Sequence, residues 1–251
     1  MAIYLIRKLE QFTKLSAEDK KALERMASLN VRQLASKEDI VREGDKPRHV
    51  NLILEGWAFR YKDLEDGRRQ ITAFLVPGDI CDMRMFILKE MDHSVGALTR
   101  LRVAEIPSKV ILEMTDAHPR IARALWWNSL VEEAIAREWT ANIGQRYATE
   151  RLAHLFCELA LRLRGLGLTN GAAEGQSFEL PVTQEQLGEA TGMTTVHVNR
   201  TLQAMREQGL IVLRGRTLTI PDEEVLQSSA LFNSNYLHLD RDGRELDAND
   251  P

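Results

Sequence analysis

At 251 residues with 44% hydrophobic content, the chain can bury one large core or two modest ones, and two domains is the expected organisation. A net charge of -4 and a pI near 5.9 exclude a globally basic nucleic-acid binder, so any DNA affinity must come from a local basic surface. Two cysteines without a partner spacing, Cys81 and Cys157, exclude a disulfide framework, a zinc ribbon and an iron-sulfur cluster, and suit a reducing cytoplasm.

The first nine residues mix Tyr4, Arg7 and Lys8 into a short apolar stretch with no small-residue cleavage site, so neither a signal peptide nor a membrane anchor is expected. Residues 16–29 read as a short amphipathic helix, with Ser16 and Asp19 at capping spacing and Leu23, Met26, Ala27 and Leu29 at helical spacing. From residue 31 to about 111 the pattern becomes short β-prone runs at 39–41, 50–54, 57–61, 70–75, 95–97 and 102–106. Turn residues separate them at Glu43-Gly44-Asp45, Glu55-Gly56, Glu65-Asp66-Gly67, Pro77-Gly78-Asp79 and Pro107, which argues a small β-sandwich or barrel.

Residues 116–164 have long-helix composition, broken once, with Pro119 suited to a first turn after a Thr115 or Asp116 cap. A helix from there to about residue 147 would run roughly 40 Å, longer than one small domain needs. Its apolar residues Leu125, Trp126, Trp127, Leu130, Val131, Ile135, Trp139 and Ile143 occupy more than one face, as in a helix covered both by its own domain and by a second copy. Two seams compete: Ala134, Ala141 and Ala148 repeat by seven, whereas Ile135, Trp139 and Ile143 form another stripe. Residues 165–176 read as a surface loop before an extended run at 177–182, and the chain beyond the wing described below reads as a tail, disordered at its end.

The most informative stretch is 182–202. Thr183 caps a first helix with Gln186 at the capping-box position, Leu187 and Ala190 point inward, and Gly192 permits a sharp turn. Thr194 caps a second helix whose Val198 and Leu202 pack inward with Met205, leaving Thr195, Val196, Asn199 and Arg200 outward, as in helices that enter a major groove. A glycine-capped end at Gln208-Gly209 then leads through Leu210 to Leu213 into a two-stranded wing with the basic turn Arg214-Gly215-Arg216. Over residues 181–220, Arg200, Arg206, Arg214 and Arg216 outnumber Glu185, Glu189 and Glu207 by one, and the basic residues cluster where phosphates would lie. An ordinary helical hairpin is the plain alternative; the wing and the caps weigh against it.

These residues resemble the Crp/Fnr superfamily of bacterial transcription regulators, through Thr183, Leu187-Gly188, Gly192, Arg200 and Leu210-Ile211. Upstream, Gly44-Asp45, Leu54-Glu55-Gly56 and Pro77-Gly78-Asp79 also look like the family, so the similarity spans roughly residues 10–222. The resemblance implies an α+β chain: a cyclic-nucleotide-binding-like β-roll at 1–117, a dimerisation helix at 118–147, a winged helix-turn-helix at 148–222 and a C-terminal tail at 223–251. It implies a cytoplasmic homodimer on a pseudo-palindromic double-stranded DNA operator, with RNA polymerase and an unidentified small-molecule effector as further partners. No membrane partner and no cofactor are expected.

Carried over by residue, Arg200 matches the position that reads guanine, and Asn199 beside it can read adenine or a phosphate. Thr195 and Val196 stand where many relatives use an arginine and a glutamate, so the half-site should depart from the family's common ones; Val196 suits a thymine methyl. Gln184, Thr194, His197, Arg214 and Arg216 match phosphate-contacting positions, and Thr183 anchors the first helix. The effector pocket implied by the family would draw on Gly78, Asp79, Cys81, Asp82, Met83, His93, Ser94, Ala136 and Arg137. Relatives that bind cyclic AMP have Gly-Glu and Arg-Ser where this chain has Asp82-Met83 and His93-Ser94, so the cyclic phosphate loses its arginine and control by cyclic AMP is not expected. A regulator that acts without any ligand fits the same departures.

A cupin-like metal enzyme or small-molecule-binding β-barrel is the competing class. It would need clustered ligands, whereas His49, His93, His118 and His154 are scattered, and no catalytic triad or phosphate loop is present, so no catalytic residue and no metal ligand is expected. Residues 146–149, after Gly144, are the expected hinge.

Overall fold

The computed structural model describes residues 2–46, 49–81, 83, 87, 89–171 and 174–239; the expected pocket residue Asp82 and the end of the expected tail, 240–251, lie outside them. Two helices open the chain, α1 (Ile3–Leu9) and α2 (Ala17–Ala27). The Ser16 side chain accepts from the Asp19 N–H at 3.1 Å while Asp19 accepts from the Ser16 N–H at 3.0 Å, which satisfies two otherwise orphaned donors at the start of α2.

Eight strands follow: β1 (Val31–Leu34), β2 (Asp39–Val41), β3 (His49–Glu55), β4 (Ala58–Asp63), β5 (Arg69–Leu75), β6 (Ile80–Cys81), β7 (Ser94–Ala97) and β8 (Leu101–Pro107). They form two antiparallel sheets, ordered β1-β8-β3-β6 and β2-β7-β4-β5. Side-chain alternation assigns the faces. Ile53 of β3 and Leu101 and Val103 of β8 meet Ala58, Leu75 and Val95 between the sheets, whereas Val50, Leu52, Leu54 and Ile106 point the other way, onto α1 and α2. β1, with one buried residue in four, and the two-residue β6 were not among the expected strands.

Helix α3 (Ser108–Ala117) contains Thr115 and Asp116, which therefore do not cap the long helix as expected; His118 precedes it and Pro119 occupies its first turn. That long helix, α4 (Pro119–Gln145), ends at Arg146, whose ψ of 147 breaks the helix before α5 (Ala148–Leu166). The break falls within the expected hinge. The winged helix comprises β9 (Glu174–Glu179), α6 (Gln184–Thr191), α7 (Thr195–Glu207), β10 (Val212–Arg214) and β11 (Thr217–Asp222). The expected two-stranded wing is the β10-β11 hairpin, and β9, which begins inside the stretch expected to be a loop, adds a third strand to its sheet, in the order β10-β11-β9.

The expected tail is also corrected. Asp222 accepts from the Val225 N–H at 3.0 Å and starts α8 (Glu223–Ser229), whose Leu226 is buried, and a 3-10 turn at Ser234–Leu237 buries Leu237. One continuous apolar core runs from Trp57, Phe59 and Phe74 in the β-roll, through Val131, Ile135 and Trp139 of α4 and Leu152 to Leu163 of α5, to Leu187, Val198, Leu202 and Leu218 in the winged helix. The reading head is thus packed against its own β-roll.

Candidate nucleic-acid interface

The two helices of the reading head are fixed locally. Gln186 N–H donates to the Thr183 hydroxyl at 3.2 Å, and the Thr183 N–H donates to the Gln186 side chain at 2.9 Å. Leu187 and Ala190 turn inward. Gly192 ends α6 at a φ of 68, in the left-handed region, and a Cβ on Gly188 would lie 2.5 Å from the Met193 carbonyl oxygen. Both glycines are therefore demanded by the turn, one by its backbone angle and one by closeness.

Thr194 caps α7 by accepting from the His197 N–H at 3.2 Å. Val198, Leu202 and Met205 are buried, while Thr195, Val196, His197 and Arg200 are exposed, Val196 at 63%. The sequence placed all of these correctly, because caps and a helical apolar stripe are local signals. Asn199 is half-buried and donates to the Gln184 side chain at 3.0 Å, tying the reading helix to the first residue of α6. At the far end, Gly209 with φ 71 lets the Leu210 N–H reach the Met205 carbonyl at 2.9 Å and close the helix.

The wing turns at Gly215-Arg216, since Arg214 pairs with Thr217 across the hairpin and Gly215 has φ 60. Its tip is pinned from the other side by the Leu180 N–H, which donates to the Arg216 carbonyl at 2.6 Å. Arg200, Arg214 and Arg216 are all exposed and, among the described residues, none has an ion-pair partner. Three exposed guanidiniums without ion-pair partners among the described residues, one on α7 and two at the wing turn, are anion-seeking groups on a chain of net charge -4.

The residues expected around one effector pocket are not brought together. Gly78, at φ 91, would drive a Cβ to 2.7 Å from the Tyr4 backbone, so it is the contact that lets α1 lie over the Pro-Gly-Asp turn. Asp79 is buried and spoken for: Lys8 of α1 lies at 2.6 Å, Arg162 of α5 at 2.8 Å, and the Val76 N–H donates to it at 2.8 Å. Burial alone would raise its carboxyl, yet Lys8 and Arg162 hold it below the usual carboxylate range. Cys81 lies in the apolar core between the sheets, Ser94 accepts from the Glu43 N–H at 3.0 Å, and His93 sits 2.6 Å from Asp92. Met83 lines a separate open groove with α3 and α4, and Ala136 and Arg137 lie on the exposed face of α4, where Arg137 pairs with Glu133 at 2.8 Å. The physical reason is non-local: α1 and α5 occupy the place beside the turn.

Three groups that the sequence reading did not single out connect the head to the rest. Arg151 donates to the Arg146 carbonyl at 2.8 Å and to the Thr191 carbonyl at 3.0 Å, bracing the hinge against the end of α6. Arg162 donates to Glu158 at 3.1 Å and to the Phe74 carbonyl at 3.0 Å in addition to Asp79. Glu158 also accepts from Trp139 at 3.0 Å and from Tyr236 at 3.1 Å, and burial raises its carboxyl above its ordinary range against the pull of Arg162. The only sequence hint was the i, i+4 spacing of Glu158 and Arg162. Neither thiol is poised to react: Cys81 is buried, and burial pushes Cys157 up to about 12. Among the described residues no group of His, Cys, Asp and Glu could hold a metal ion, and no helix is long and apolar enough to cross a membrane.

Comparison with known proteins agrees with this geometry. A family model for the Crp-like helix-turn-helix domain matches residues 150–229, and one for the cyclic nucleotide-binding domain matches residues 31–118. The transcriptional activator protein FnrL of Cereibacter sphaeroides is 31% identical over 179 residues, covering 70% of each chain. The nitrogen fixation regulation protein FixK of Azorhizobium caulinodans is 28% identical over 77% of this chain and 76% of its own. The solved structure of FixK2 from Bradyrhizobium japonicum superposes with a TM-score of 0.68 at 24% identity, over 79% of this chain and 96% of that one, a likeness of fold. Such relatives are regulators rather than enzymes, which sets the cupin-like reading aside. The chain belongs to the Crp/Fnr superfamily and is a DNA-binding transcription regulator built from a β-roll, a long helix and a winged helix-turn-helix.

Proposed function

We propose that two copies pair along α4 and set their α7 helices into successive major grooves, about 34 Å apart, of a pseudo-palindromic operator in the cytoplasm. The observation that carries this reading is the capped, exposed first turn of α7, with Arg200 in the next turn free of any ion-pair partner among the described residues. Arg200 reads a guanine through O6 and N7, Asn199 an adenine or a phosphate, and Thr195 and Val196 the adjoining base edges, Val196 by a thymine methyl. Gln184, Thr194, His197, Arg214 and Arg216 hold phosphates, and Thr183 keeps Gln184 at the backbone.

The pairing face is supported by exposure. Ile135 and Trp139 are spent on the chain's own core, whereas Trp126 at 71% and Leu130 at 61% stand in solvent. They border an open groove of 840 Å³ shared with Met83, Ile111 and Leu112. The seam thus runs along Trp126, Leu130 and Ala141 rather than the Ile135 stripe. A second copy would remove these apolar side chains from water at about 25 cal/mol per Å².

The β-roll does not take cyclic AMP in this reading, because no arginine stands at His93-Ser94 to meet the cyclic phosphate and Asp79 is already paired with Lys8 and Arg162. DNA binding that needs no nucleotide follows, with any other effector acting elsewhere. RNA polymerase is a second partner, in keeping with relatives named as transcriptional activators. The test is selection of duplexes from a random library by the purified protein, with and without cyclic AMP. Enrichment of one palindrome in both arms is the expected result. Enrichment only with cyclic AMP overturns the reading of the β-roll, and no enrichment in either arm overturns ligand-independent binding.

A further inference from the structure

Neither the DNA surface nor the pairing face uses residues 230–239, yet this segment crosses from the winged helix back over the hinge. Arg146, the residue at which α4 breaks, donates to the Ala230 carbonyl at 3.3 Å and the Leu231 carbonyl at 3.5 Å. Phe232 and Tyr236 then close on the His154 ring of α5, with centroids 5.0 Å and 5.7 Å away. The Tyr236 hydroxyl donates to the same Glu158 oxygen that accepts from Trp139 of α4. Glu158's other oxygen is held by Arg162, which reaches Asp79 and Phe74 in the β-roll. Leu237 and Leu239 finish against Lys8, Trp127, Val131 and Ile135 around a cavity of only 30 Å³. A segment tethered to the reading head through α8 therefore ends on the long helix and on α1.

We propose that residues 230–239 are a strap that fixes the angle of the winged helix to α4, with Phe232 and Tyr236 as its positioning residues, so that a paired molecule holds one operator spacing. The proposal rests on the two-copy reading above. A hinge of two extended residues, Arg146 and Tyr147, constrains direction weakly, and the strap supplies an anchor on its far side. Rigid linkage of two heads makes binding of the second half-site intramolecular only when the spacing fits.

The test compares the full chain with Phe232→Ala, Tyr236→Ala and Tyr236→Phe variants of it, on the selected palindrome, on the same half-sites moved apart by about one or two base pairs, and on a single half-site. The full chain should prefer its native spacing by about 100-fold, and the alanine variants by about 10-fold or less, with half-site affinity unchanged and Tyr236→Phe in between. Hydrogen exchange without DNA is the second readout: the alanine variants should exchange faster at 142–152 while α7 stays protected. An unchanged spacing preference overturns the strap, whether or not exchange rises. Loss of half-site binding together with α7 protection also overturns it, since the segment would then be part of the winged helix's own core. If the full chain shows no preference for paired half-sites, the two-copy reading fails instead, and unchanged exchange at 142–152 would overturn the strap independently.

Discussion

Arg162→Leu removes the guanidinium that joins α5 to the β-roll. Arg162 bonds Glu158 at 3.1 Å, Asp79 at 2.8 Å and the Phe74 carbonyl at 3.0 Å, and its side chain is 13% exposed. Asp79 would keep Lys8 at 2.6 Å and the Val76 N–H, so its loss is partial. Glu158 would keep Trp139 and Tyr236 as neutral donors but no cation. Breaking a buried pair costs about 3–5 kcal/mol, a large share of a total stability of about 5–15 kcal/mol. Because burial already raises the Glu158 carboxyl, the variant has an escape: Glu158 takes up a proton. A carboxyl whose folded pKa is raised favours the folded state at low pH and loses that contribution as pH rises through the folded value, so the deficit of Arg162→Leu should shrink as pH falls from neutrality. Adding Glu158→Gln should recover part of the loss, with a coupling of about 1–3 kcal/mol in a double-mutant cycle. Urea unfolding followed by far-UV circular dichroism gives all four corners of the cycle. A cost below about 1 kcal/mol for Arg162→Leu, or strict additivity with Glu158→Gln, would refute the argument.

Further expectations test the site and its support. Arg200→Ala should cost about 1–3 kcal/mol and relax preference at one base pair, whereas Arg216→Ala should weaken all sequences alike and lower the salt slope by about one; titrations on cognate and random DNA separate the two. Trp126→Glu should shift the protein to monomer in analytical ultracentrifugation and abolish palindrome preference while leaving half-site binding; a dimer that persists would exclude the Trp126 seam. His154 is held neutral, since burial first and Arg146 second pull it down to about 3, and Glu138, 3.2 Å away, is itself held by Arg146 at 2.7 Å. A folded pKa below the unfolded one stabilises above the unfolded value of 6.5 and is lost as pH falls towards about 3, by up to about 1.4 kcal/mol per pH unit. His154→Phe should flatten that part of the urea-midpoint profile, and an unaltered slope would reject the assignment.

What could be read from the sequence was what local chemistry fixes. The strands at 39–41 and 70–75, the Ser16 cap and both helices of the reading head emerged because alternation, capping oxygens and turn glycines act within a few residues of one another. Elements without such punctuation were lost. Helix α1 has seven residues and no side-chain cap, and α8 looked like a tail although Asp222 caps it and Leu226 and Ala230 share a face. The surroundings of the expected effector-pocket residues were hidden for another reason. That Gly78 and Asp79 are covered by Tyr4 and Lys8 is a contact across some seventy residues of sequence, and no pattern near Pro77 announces it.

The close approach of Gly188 to the Met193 carbonyl has a bearing on how such a protein changes its target. The angle and depth between α6 and α7 are set by backbone against backbone, so the frame is indifferent to which side chains stand at 195, 196 and 200. Recognition can therefore diverge by single exchanges at those positions, each altering what is read without altering where the helix lies. A duplicated copy with Thr195 and Val196 replaced would inherit a working scaffold and need only acquire a new operator.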